Sequence, residues 1–588
     1  MSLSTFLPLN IGMSAIEAMS QAESVVSNNI SNANTAGYVQ ESPVINEAQP
    51  YQLTVNAEIS QGVDVSSVSR DTDEFVVQQD RNNQGTYQMY STHSSGLQQI
   101  QSILNEPSSN SIQNALDQFF SSWQTLSSDP TDTAARQSVI SQAQMLSQTY
   151  QTVTTQLEQL QANLQTVVQG NPQYTVGQGV MATTVNGATT TSSVTTANPI
   201  ATDVEVLNTP QSSSSNFQIK FTASEPASGG PASYELQLET SGENPTPIGA
   251  PVTISSPGGT YTLGDPNGFL VSVQASDPST LVPAGSLTNG STYTQTDSFT
   301  PPGGQLEELN GYAYQVDQLN QQIVSDTASG QSTNTLLDQR DYILDQMSNL
   351  ANISYSPDAS GAVSVNVGNV PLVSSTGGVN PVTVSDLSQI TSGSIAGNEA
   401  TIGDTEGLLG QFDNFLTSFA NQVNSIQQSG YSVNNPGSNA PALFTVTQDA
   451  YGHVSLSLAD EPGTNTPVGA GDVGASGAAN QVGDNSNALQ MVALQSNPQA
   501  YNNGTFDQGI SQIVSNVGIE ANSVSSSETT ANSLAQQSSN MRQSISGVDT
   551  NEQTALMLQY QNTYDAAAKF ISVFDDMLQA LLNMVPSS

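Results

Sequence analysis

Side chains that could carry catalysis or hold a metal ion are scarce in this chain. Cysteine is absent, and the two histidines, His93 and His453, lie far apart in polar surroundings. The sequence contains no HExxH motif, Walker loop or GxSxG nucleophile elbow, the patterns typical of zinc, nucleotide and acyl-transfer chemistry. Carboxylates are so numerous that chance pairs are inevitable, and their expected place is a solvated surface. The sequence therefore predicts a protein that is not an enzyme and that uses no metal and no cofactor.

The charge balance is strongly acidic. The chain of 588 residues carries 50 Asp and Glu against seven Lys and Arg, a formal net charge of −43. The seven cations are scattered singly, so no basic patch is available for phosphate backbones or anionic lipid headgroups. No apolar run approaches the roughly 18 residues that a membrane span needs. Nucleic acid and membranes are therefore not expected as partners.

Two amphipathic helices are predicted at the opposite ends of the chain. From Val548 to Val585, apolar residues recur in alternating steps of four and three, with a second row beside the first. The first row is Leu556, Tyr560, Thr563, Ala567, Phe570, Phe574, Met577, Leu581 and Met584, and the second is Met557, Tyr564, Ile571, Leu578 and Val585. From Leu9 to Ala33, the same step gives Ile11, Ala15, Ala18, Ala22 and Val25, next to a row that includes Ile30. Such long stripes predict a coiled-coil stem in which the two ends meet.

Two interpretations of these stripes stay open on periodicity alone. An ordinary helix pair inside a folded monomer would show the same heptads. An assembly role is favoured by the position of the helices at the termini, where isolated helices fray unless they are docked. The last stripe is also wide enough to need more than one neighbour. Under this interpretation, each stem packs on copies of itself without closing, as in a helical tube.

Between the termini, helical spacing alternates with strand-like stretches. Phe119 and Trp123 fall on one helix face, whereas Phe217, Ile219 and Phe221 alternate among Ser-, Thr-, Gly- and Pro-rich turns. We therefore predict an α+β multidomain fold, with long terminal α-helices forming a coiled-coil stem, a helical-bundle middle domain and inserted all-β domains. The predicted boundaries are 1–37 and 547–588 for the terminal assembly domain; 38–169, 306–350, 405–428 and 487–546 for the helical middle domain with an extended β segment; 170–305 for the inserted β domain; and 351–404 and 429–486 for a second β-rich region.

Short motifs near both ends carry a specific resemblance. Residues 28–38 read NNISNANTAGY, and the C-terminal segment contains SGVD at 546–549, LQYQ at 558–561 and Ala568-Lys569. These runs resemble the N-terminal and C-terminal signatures of the bacterial flagellar rod, hook and hook-associated proteins. The run NTLLDQRD at 334–341 resembles the hook-associated members that adjoin the hook more than the rod or hook members. Arg340 of that run stands near Asp338, Asp341 and Asp345, which favours helix-surface ion pairs worth about 0.3 kcal/mol each.

The resemblance implies a function and a set of partners. It implies a structural flagellar subunit that joins hook to filament, is exported unfolded through the flagellar type III channel, and resides outside the cell. Implied partners are copies of itself in a helical ring, the hook protein, the second hook-associated junction protein and a cytoplasmic export chaperone. The implied assembly residues are Ile11, Ala15, Ala18, Ala22, Ile30, Asn28, Asn29, Asn32, Gly37, Tyr38, Leu556, Tyr560, Ala567, Phe570, Phe574, Met577 and Leu581. The chaperone is expected to cover Leu556, Tyr560, Phe570, Ile571, Phe574 and Leu578.

Two other functions remain open at this point. A hook or distal-rod protein would share the terminal signatures, although the 334–341 run argues against it. A secreted adhesin or glycan-binding protein could carry its activity in the 170–305 insertion, to which the resemblance does not extend.

Overall fold

In the computed structural model, long α-helices from both halves of the chain combine with several antiparallel sheets, a mixed α+β architecture. The structure describes residues 7–48, 51–54, 57–59, 61–170, 173–175, 179–185, 188–194, 201–208, 217–224, 232–240, 245–255, 259–264, 270–276, 278–282, 291–300, 303–449 and 452–583.

The helices of these residues include the long segments that the apolar spacing predicts. They are α1 (Leu7–Asn32), α2 (Glu74–Leu104), α3 (Ile112–Ser128), α4 (Thr133–Gln169), α5 (Pro278–Leu281), α6 (Gln305–Ala328), α7 (Asn334–Leu350), α8 (Gly393–Ser429), α9 (Ser486–Gln495), α10 (Phe506–Ser546) and α11 (Thr550–Asn583). Short 3₁₀ helices span Val384–Gln389 and Ala470–Asp472. Side chains of Asp73, Ser111, Asp132 and Thr505 accept hydrogen bonds from first-turn N–H groups and so fix where α2, α3, α4 and α10 begin.

The described strands pair antiparallel throughout. They are β1 (Glu41–Glu47), β2 (Tyr51–Thr54), β3 (Ala57–Ile59), β4 (Val63–Arg70), β5 (Gln173–Thr175), β6 (Gly179–Val185), β7 (Ala188–Val194), β8 (Ala201–Asn208), β9 (Phe217–Ser224), β10 (Ser233–Thr240), β11 (Pro247–Thr253), β12 (Thr260–Gly264), β13 (Leu270–Ala275), β14 (Ser291–Thr300), β15 (Ile353–Pro357), β16 (Val363–Val367), β17 (Val370–Val373), β18 (Phe444–Gln448) and β19 (Val454–Leu458). Strands β1 and β4 form a hairpin-like pair between α1 and α2.

The largest core lies among α3, α4, α8 and α10. Phe119 of α3 meets Phe419 of α8 edge-to-face at 5.6 Å between ring centroids, and Phe419 meets Phe506 of α10 at 5.3 Å. These rings and Trp123 are fully buried. A second core joins α6 and α7 to the sheet β15–β16–β17. Burial of these aromatic side chains, together with the aliphatic side chains of the same core, supplies the main driving force that holds the helical body together.

The stretch from β5 to β14 folds as two sheets over a shared core. One sheet has the order β11-β10-β9-β14-β6-β7, with β5 beside β14, and the other has the order β12-β13-β8. Phe221 of the first sheet and Val273 of the second belong to the same buried cluster. The chain enters and leaves this region at one place, because the backbone of Gly170 lies directly against Gly304.

One predicted boundary is wrong. The β-rich region predicted over 351–404 ends too late, because α8 already begins at Gly393, before the segment predicted as helical from 405. Its glycines lower helix propensity and hide the pattern, yet they serve packing. A Cβ on Gly397 would lie 2.5 Å from the carbonyl oxygen of Met89 in α2. Glycine therefore lets α8 pack closely on α2.

Candidate assembly interface

The first and last helices lie side by side, so that the two ends of the chain meet. Near the end of α1, the Asn29 amide donates to Oε1 of Gln553 at the start of α11, at 2.9 Å. Near the beginning of α1, a Cβ on Gly12 would lie 2.7 Å from Cγ1 of Ile571. The two helices therefore run antiparallel, and the small-residue face of α1 approaches bulky side chains of α11.

The predicted residues of α1 and the loop after it take three kinds of position. Ala18, Ala22 and Asn29 are buried; Ile11, Ala15, Ile30, Asn32, Gly37 and Tyr38 are half-buried; and Asn28 is exposed. The buried residues of α1 are Gly12, Ala18, Met19, Ala22, Val25, Val26 and Asn29, so the predicted row and the row next to it are both buried in part. Both rows are covered because α1 also packs on β1 and β4.

The predicted residues of α11 divide between two faces. Leu556, Tyr560, Ala567, Ile571, Phe574 and Leu578 are half-buried, whereas Phe570 and Met577 are exposed. Phe570, Val573 and Met577 are 47 %, 59 % and 57 % exposed and follow one another at helical spacing; we refer to them as the outer stripe. The side chain of Leu581, and Met584 and Val585, lie outside the described residues. Part of the predicted apolar surface of α11 is thus uncovered in the single chain.

Asn29 is the polar centre of the stem base. Its amide donates to the Glu41 carbonyl at 2.8 Å as well as to Gln553, and its Oδ1 accepts from the Glu41 N–H at 3.0 Å. The Tyr38 hydroxyl also donates to this Oδ1, at 2.8 Å. One fully buried amide therefore joins α1, the 33–38 loop, β1 and α11, and its hydrogen-bonding capacity is used.

Beside Asn29, the 33–38 loop turns against α7. Gly37 has φ +81, and a Cβ there would lie 2.8 Å from Cβ of Tyr342. The left-handed backbone and the close approach both require glycine. Burial, together with the carboxylates of Glu41 and Asp338, raises the pKa of Tyr38, so its hydroxyl stays protonated as a donor. Predicted residues Asn28, Asn32 and Tyr38 line one side of a groove of about 260 Å³, and Tyr342 lies on the other side.

An ion network fixes this base to the helical body. Arg70 at the end of β4 binds Asp338 and Asp341 of α7, each at 2.7 Å. Arg81 of α2 binds Asp341 at 3.2 Å and Asp345 at 2.7 Å. Arg542 of α10 binds Asp345 at 2.8 Å and Asp80 of α2 at 3.2 Å. Three guanidiniums therefore face four carboxylates, and removing one partner would leave a buried charge uncompensated, at a cost of about 3–5 kcal/mol.

The carboxylates of this network titrate differently. Burial raises the pKa of Asp338 to about 6, although Arg70 opposes the shift. Burial acts in the same direction on Asp341, but Arg81 and Arg70 together hold the pKa of Asp341 below its ordinary value. Asp341 receives two guanidiniums, whereas Asp338 receives one. The number of cationic partners accounts for the difference.

The interpretation of Arg340 as part of helix-surface ion pairs is wrong. Arg340 is buried, and its Nη1 donates to the Gly361 carbonyl at 2.6 Å and to Oδ1 of Asn320 at 3.3 Å. The neighbouring aspartates bind arginines from other elements instead. Proximity in sequence favours Asp338, Asp341 and Asp345, which lie one to five positions from Arg340 on the same helix, but the Arg340 side chain instead reaches Gly361 and Asn320.

Sequence reasoning missed the network residues Arg70, Arg81, Arg542, Asp80 and the seam residue Gln553. A signal for the arginines was present. In a chain with seven cations and 50 acids, an arginine next to apolar positions of a helix or a strand has a strong reason to be committed to an internal partner. No local pattern indicates Gln553, because its role depends on a residue 524 positions away.

The seam between α10 and α2 contains a polar contact. Ser538 is buried and donates to Oδ1 of Asp80 at 3.0 Å. The neighbouring apolar residues Leu534, Met541 and Ile545 of α10 are exposed. The buried line therefore passes through Ala531, Ala535 and Ser538, and the hydroxyl fixes the register of the two helices.

The two histidines pair with single carboxylates. His93 lies 2.6 Å from Asp404, and His453 lies 3.3 Å from Asp413. Within the described ranges, no group of three or more His, Asp or Glu side chains could hold a metal ion. None of the helices described is long and apolar enough to cross a bilayer.

Three family models match separate parts of the chain. A model described as the flagellar hook-associated protein FlgK helical domain matches residues 97–174 and 292–387. A flagella basal body rod protein model matches residues 9–38, which cover most of α1 and the loop after it. The flagellar basal body rod FlgEFG protein C-terminal model matches residues 542–584, which cover the end of α10 and α11. The two rod models therefore match the two helices that pair with each other.

Curated relatives and a solved structure carry related names. Flagellar hook-associated protein 1 of Salmonella typhimurium is 24% identical over 98% of this chain and 99% of its own length. The protein of the same name from Bacillus subtilis is 32% identical over 27% of this chain and 33% of its own length. The flagellar hook junction protein FlgK from Burkholderia pseudomallei has a TM-score of 0.47 and 13% identity, over 80% of this chain and 100% of that one.

Proposed function

Because the chain belongs to the family of flagellar hook-associated protein 1, we infer that it is a structural component of the bacterial flagellum at the junction of hook and filament. The observation that carries this inference is the match along the whole length of the Salmonella relative. It is supported by the pairing of α1 and α11, each of which matches a rod-family model.

The terminal helices supply the assembly contacts. In the assembled state, α1 and α11 form a coiled-coil stem that packs on copies of itself and on neighbouring flagellar subunits. The outer stripe of α11 supports this proposal, since three exposed apolar side chains in a row on one helix are costly in water and need a cover. The groove beside Tyr38 offers a further contact at the base of the stem.

The neighbours are copies of this chain, the hook protein and the second hook-associated junction protein. The assembly domain comprises residues 1–37 and 547–588, and a helical middle domain, an inserted β domain over 170–305 and a second β-rich region stand on it. Gly170 and Gly304 support the insertion, because a domain that enters and leaves at one point can be added without disturbing α4 and α6.

The chain reaches its place through the flagellar export channel, unfolded, and then resides outside the cell. Before export, a cytoplasmic chaperone covers Leu556, Tyr560, Phe570, Ile571, Phe574 and Leu578. Support comes from the exposure of Phe570 and from the half-buried state of the other five side chains even in the folded chain. Once α1 is unfolded, all six would face water.

The alternative functions are not favoured. A hook or distal-rod protein is disfavoured because the helical-domain model and the curated relatives both belong to hook-associated protein 1. An adhesin function of the 170–305 insertion has no comparable support. We propose no catalytic role, in keeping with the names of the relatives.

Electron microscopy of cells that lack this gene tests the function. We expect hooks without filaments, with filament protein shed into the medium, and restoration by the full-length chain. Filaments that remain attached in the absence of the gene would overturn the assignment. Loss of the hook itself would point to a hook or rod protein instead.

A further inference from the structure

Self-assembly of this chain faces an electrostatic obstacle. Each copy carries a formal net charge of −43, so copies that approach one another repel. Only seven Lys and Arg are available to oppose this repulsion. The location of any cation that is not already committed within its own chain therefore bears directly on where copies make contact.

Six of the seven cations have partners within their own chain. Arg70, Arg81 and Arg542 belong to the ion network, and Arg340 binds a carbonyl and an amide. Arg136 is buried and donates to the carbonyls of Pro130 and Val473 at 2.7 and 2.6 Å. Lys220 lies 3.3 Å from Glu239. Lys569 is exposed and forms no ion pair with any residue that the structure describes.

Lys569 also has a distinctive position. It lies on α11 immediately before Phe570 and four residues before Val573, so it borders the outer stripe on the helix surface. Of the outer stripe, Phe570 borders the face that α1 occupies, since a Cβ on Gly12 would lie 3.2 Å from Cδ1 of Phe570, whereas Val573 and Met577 are more exposed. An uncommitted cation and an uncovered apolar row thus share one side of the same helix.

We propose that Lys569 and the outer stripe dock on a carboxylate-bearing surface of a second copy of this chain. The proposal rests on the assembly function proposed above and names its partner. Charge complementarity supports this partner, since the 50 acids of a second copy provide an acidic surface opposite the lysine. Covering the stripe excludes water, and an ion pair at the edge of a dry contact is stronger than one in open solvent.

The chain allows an unusually selective test, because Lys220 and Lys569 are its only lysines. A carbodiimide joins an amine to a carboxylate only when the two are in direct contact. We expect treatment of purified flagella to yield a dimer of this chain whose linked peptide contains Lys569, whereas Lys220 links within its own chain to Glu239. A Lys569 link to a different flagellar protein, or no link between copies, would overturn the proposal.

Three variants separate the effect of the positive charge from the effect of the reactive amine. Lys569→Gln should abolish the dimer and raise the rate of filament detachment by roughly two- to fivefold, the effect of losing one exposed ion pair per contact. Lys569→Arg should abolish the dimer, since it has no amine, while attachment stays at the wild-type level. Lys220→Gln, the matched control, should change neither readout.

The failure of this proposal is distinguishable from failure of the proposed function. If Lys569→Gln is exported and detaches no faster than wild type, Lys569 is not a contact between copies, while a deletion strain would still lack filaments. Circular dichroism of each purified variant confirms that α11 is formed, so a folding defect is not read as a lost contact.

Discussion

At the scale of single residues, Asn29 is the side chain on which the meeting of the two ends depends most directly. Its amide makes four hydrogen bonds to three different segments, and each partner is buried or half-buried. A buried group that loses its partner retains its desolvation cost without compensation. The Asn29 cluster is therefore more sensitive to deletion than any apolar contact of comparable size in the stem.

Replacing Asn29 with Ala should lower the free energy of opening the stem by about 2–4 kcal/mol, since several partners are left unsatisfied. Native-state hydrogen exchange of α1 and α11 amides measures this opening free energy. Asn34→Ala, an exposed residue in the adjoining loop, is the control and should change it by less than about 0.5 kcal/mol. Equal protection in wild type and Asn29→Ala would show that apolar contacts alone hold the helices together.

The raised pKa of Asp338 predicts that the stability of the folded chain depends on pH. Its pKa in the folded chain is about 6, above about 3.9 for an unfolded carboxyl. The folded state thus binds this proton more tightly, so the stabilising contribution of Asp338 is complete below about pH 4 and is lost as the pH rises through 6. Asp341, with a lowered pKa, contributes in the opposite sense, above the unfolded pKa.

In wild type, we expect the protection of α7 amides against hydrogen exchange to decline between about pH 4 and 7. In the Asp338→Asn variant, we expect this decline to be absent. Hydrogen exchange corrected for intrinsic rates measures this difference. Parallel pH profiles of the two proteins in this window would contradict the assignment of the decline to Asp338.

At the scale of elements, the spacing of apolar residues is sufficient to predict where the long helices lie. It is insufficient to predict which face of each helix is buried. The heptads of α11 predicted its length and its apolar stripe, because both depend on local sequence alone. Which half of that stripe faces α1 depends on where Gly12 lets the helices approach, a property of the pair. Arg340 was misinterpreted for the same reason, since its partner Asn320 lies on another helix.

The start of α8 was missed because helix propensity and packing conflict there. Gly397 lowers propensity, yet its missing side chain is what admits α2. A sequence pattern reflects the low helix propensity of glycine but not the close packing that glycine allows. The ion network was invisible for a related reason, as its members come from β4, α2, α7 and α10.

Gly397→Ala should destabilise the α2–α8 contact by about 1–3 kcal/mol, because the obstructing atom is backbone and cannot move aside. Gly403→Ala, on the same helix with nothing within 4 Å of the added Cβ, is the matched control. It should stabilise α8 by about 0.5–1 kcal/mol. Opening free energies from hydrogen exchange give both values, and a stabilising Gly397→Ala would contradict the close packing described for this position.

At the scale of the whole molecule, the 170–305 region is attached as a side branch. Deleting residues 171–302 leaves Gly170 next to Gly303 and Gly304, so α4 and α6 can be joined without strain. If the region is a spacer, cells that carry the deletion should remain motile and keep their filaments. Loss of attachment by an exported, folded deletion variant would assign the region a part in the junction.

The central claim is that the paired terminal helices make the junction. Its most direct test is electron microscopy of a deletion strain that expresses a chain ending at residue 549, without α11. We expect the truncated chain to be found in the medium while hooks remain bare and filament protein is shed. Filaments attached as firmly as in the strain that expresses the full chain would contradict the account.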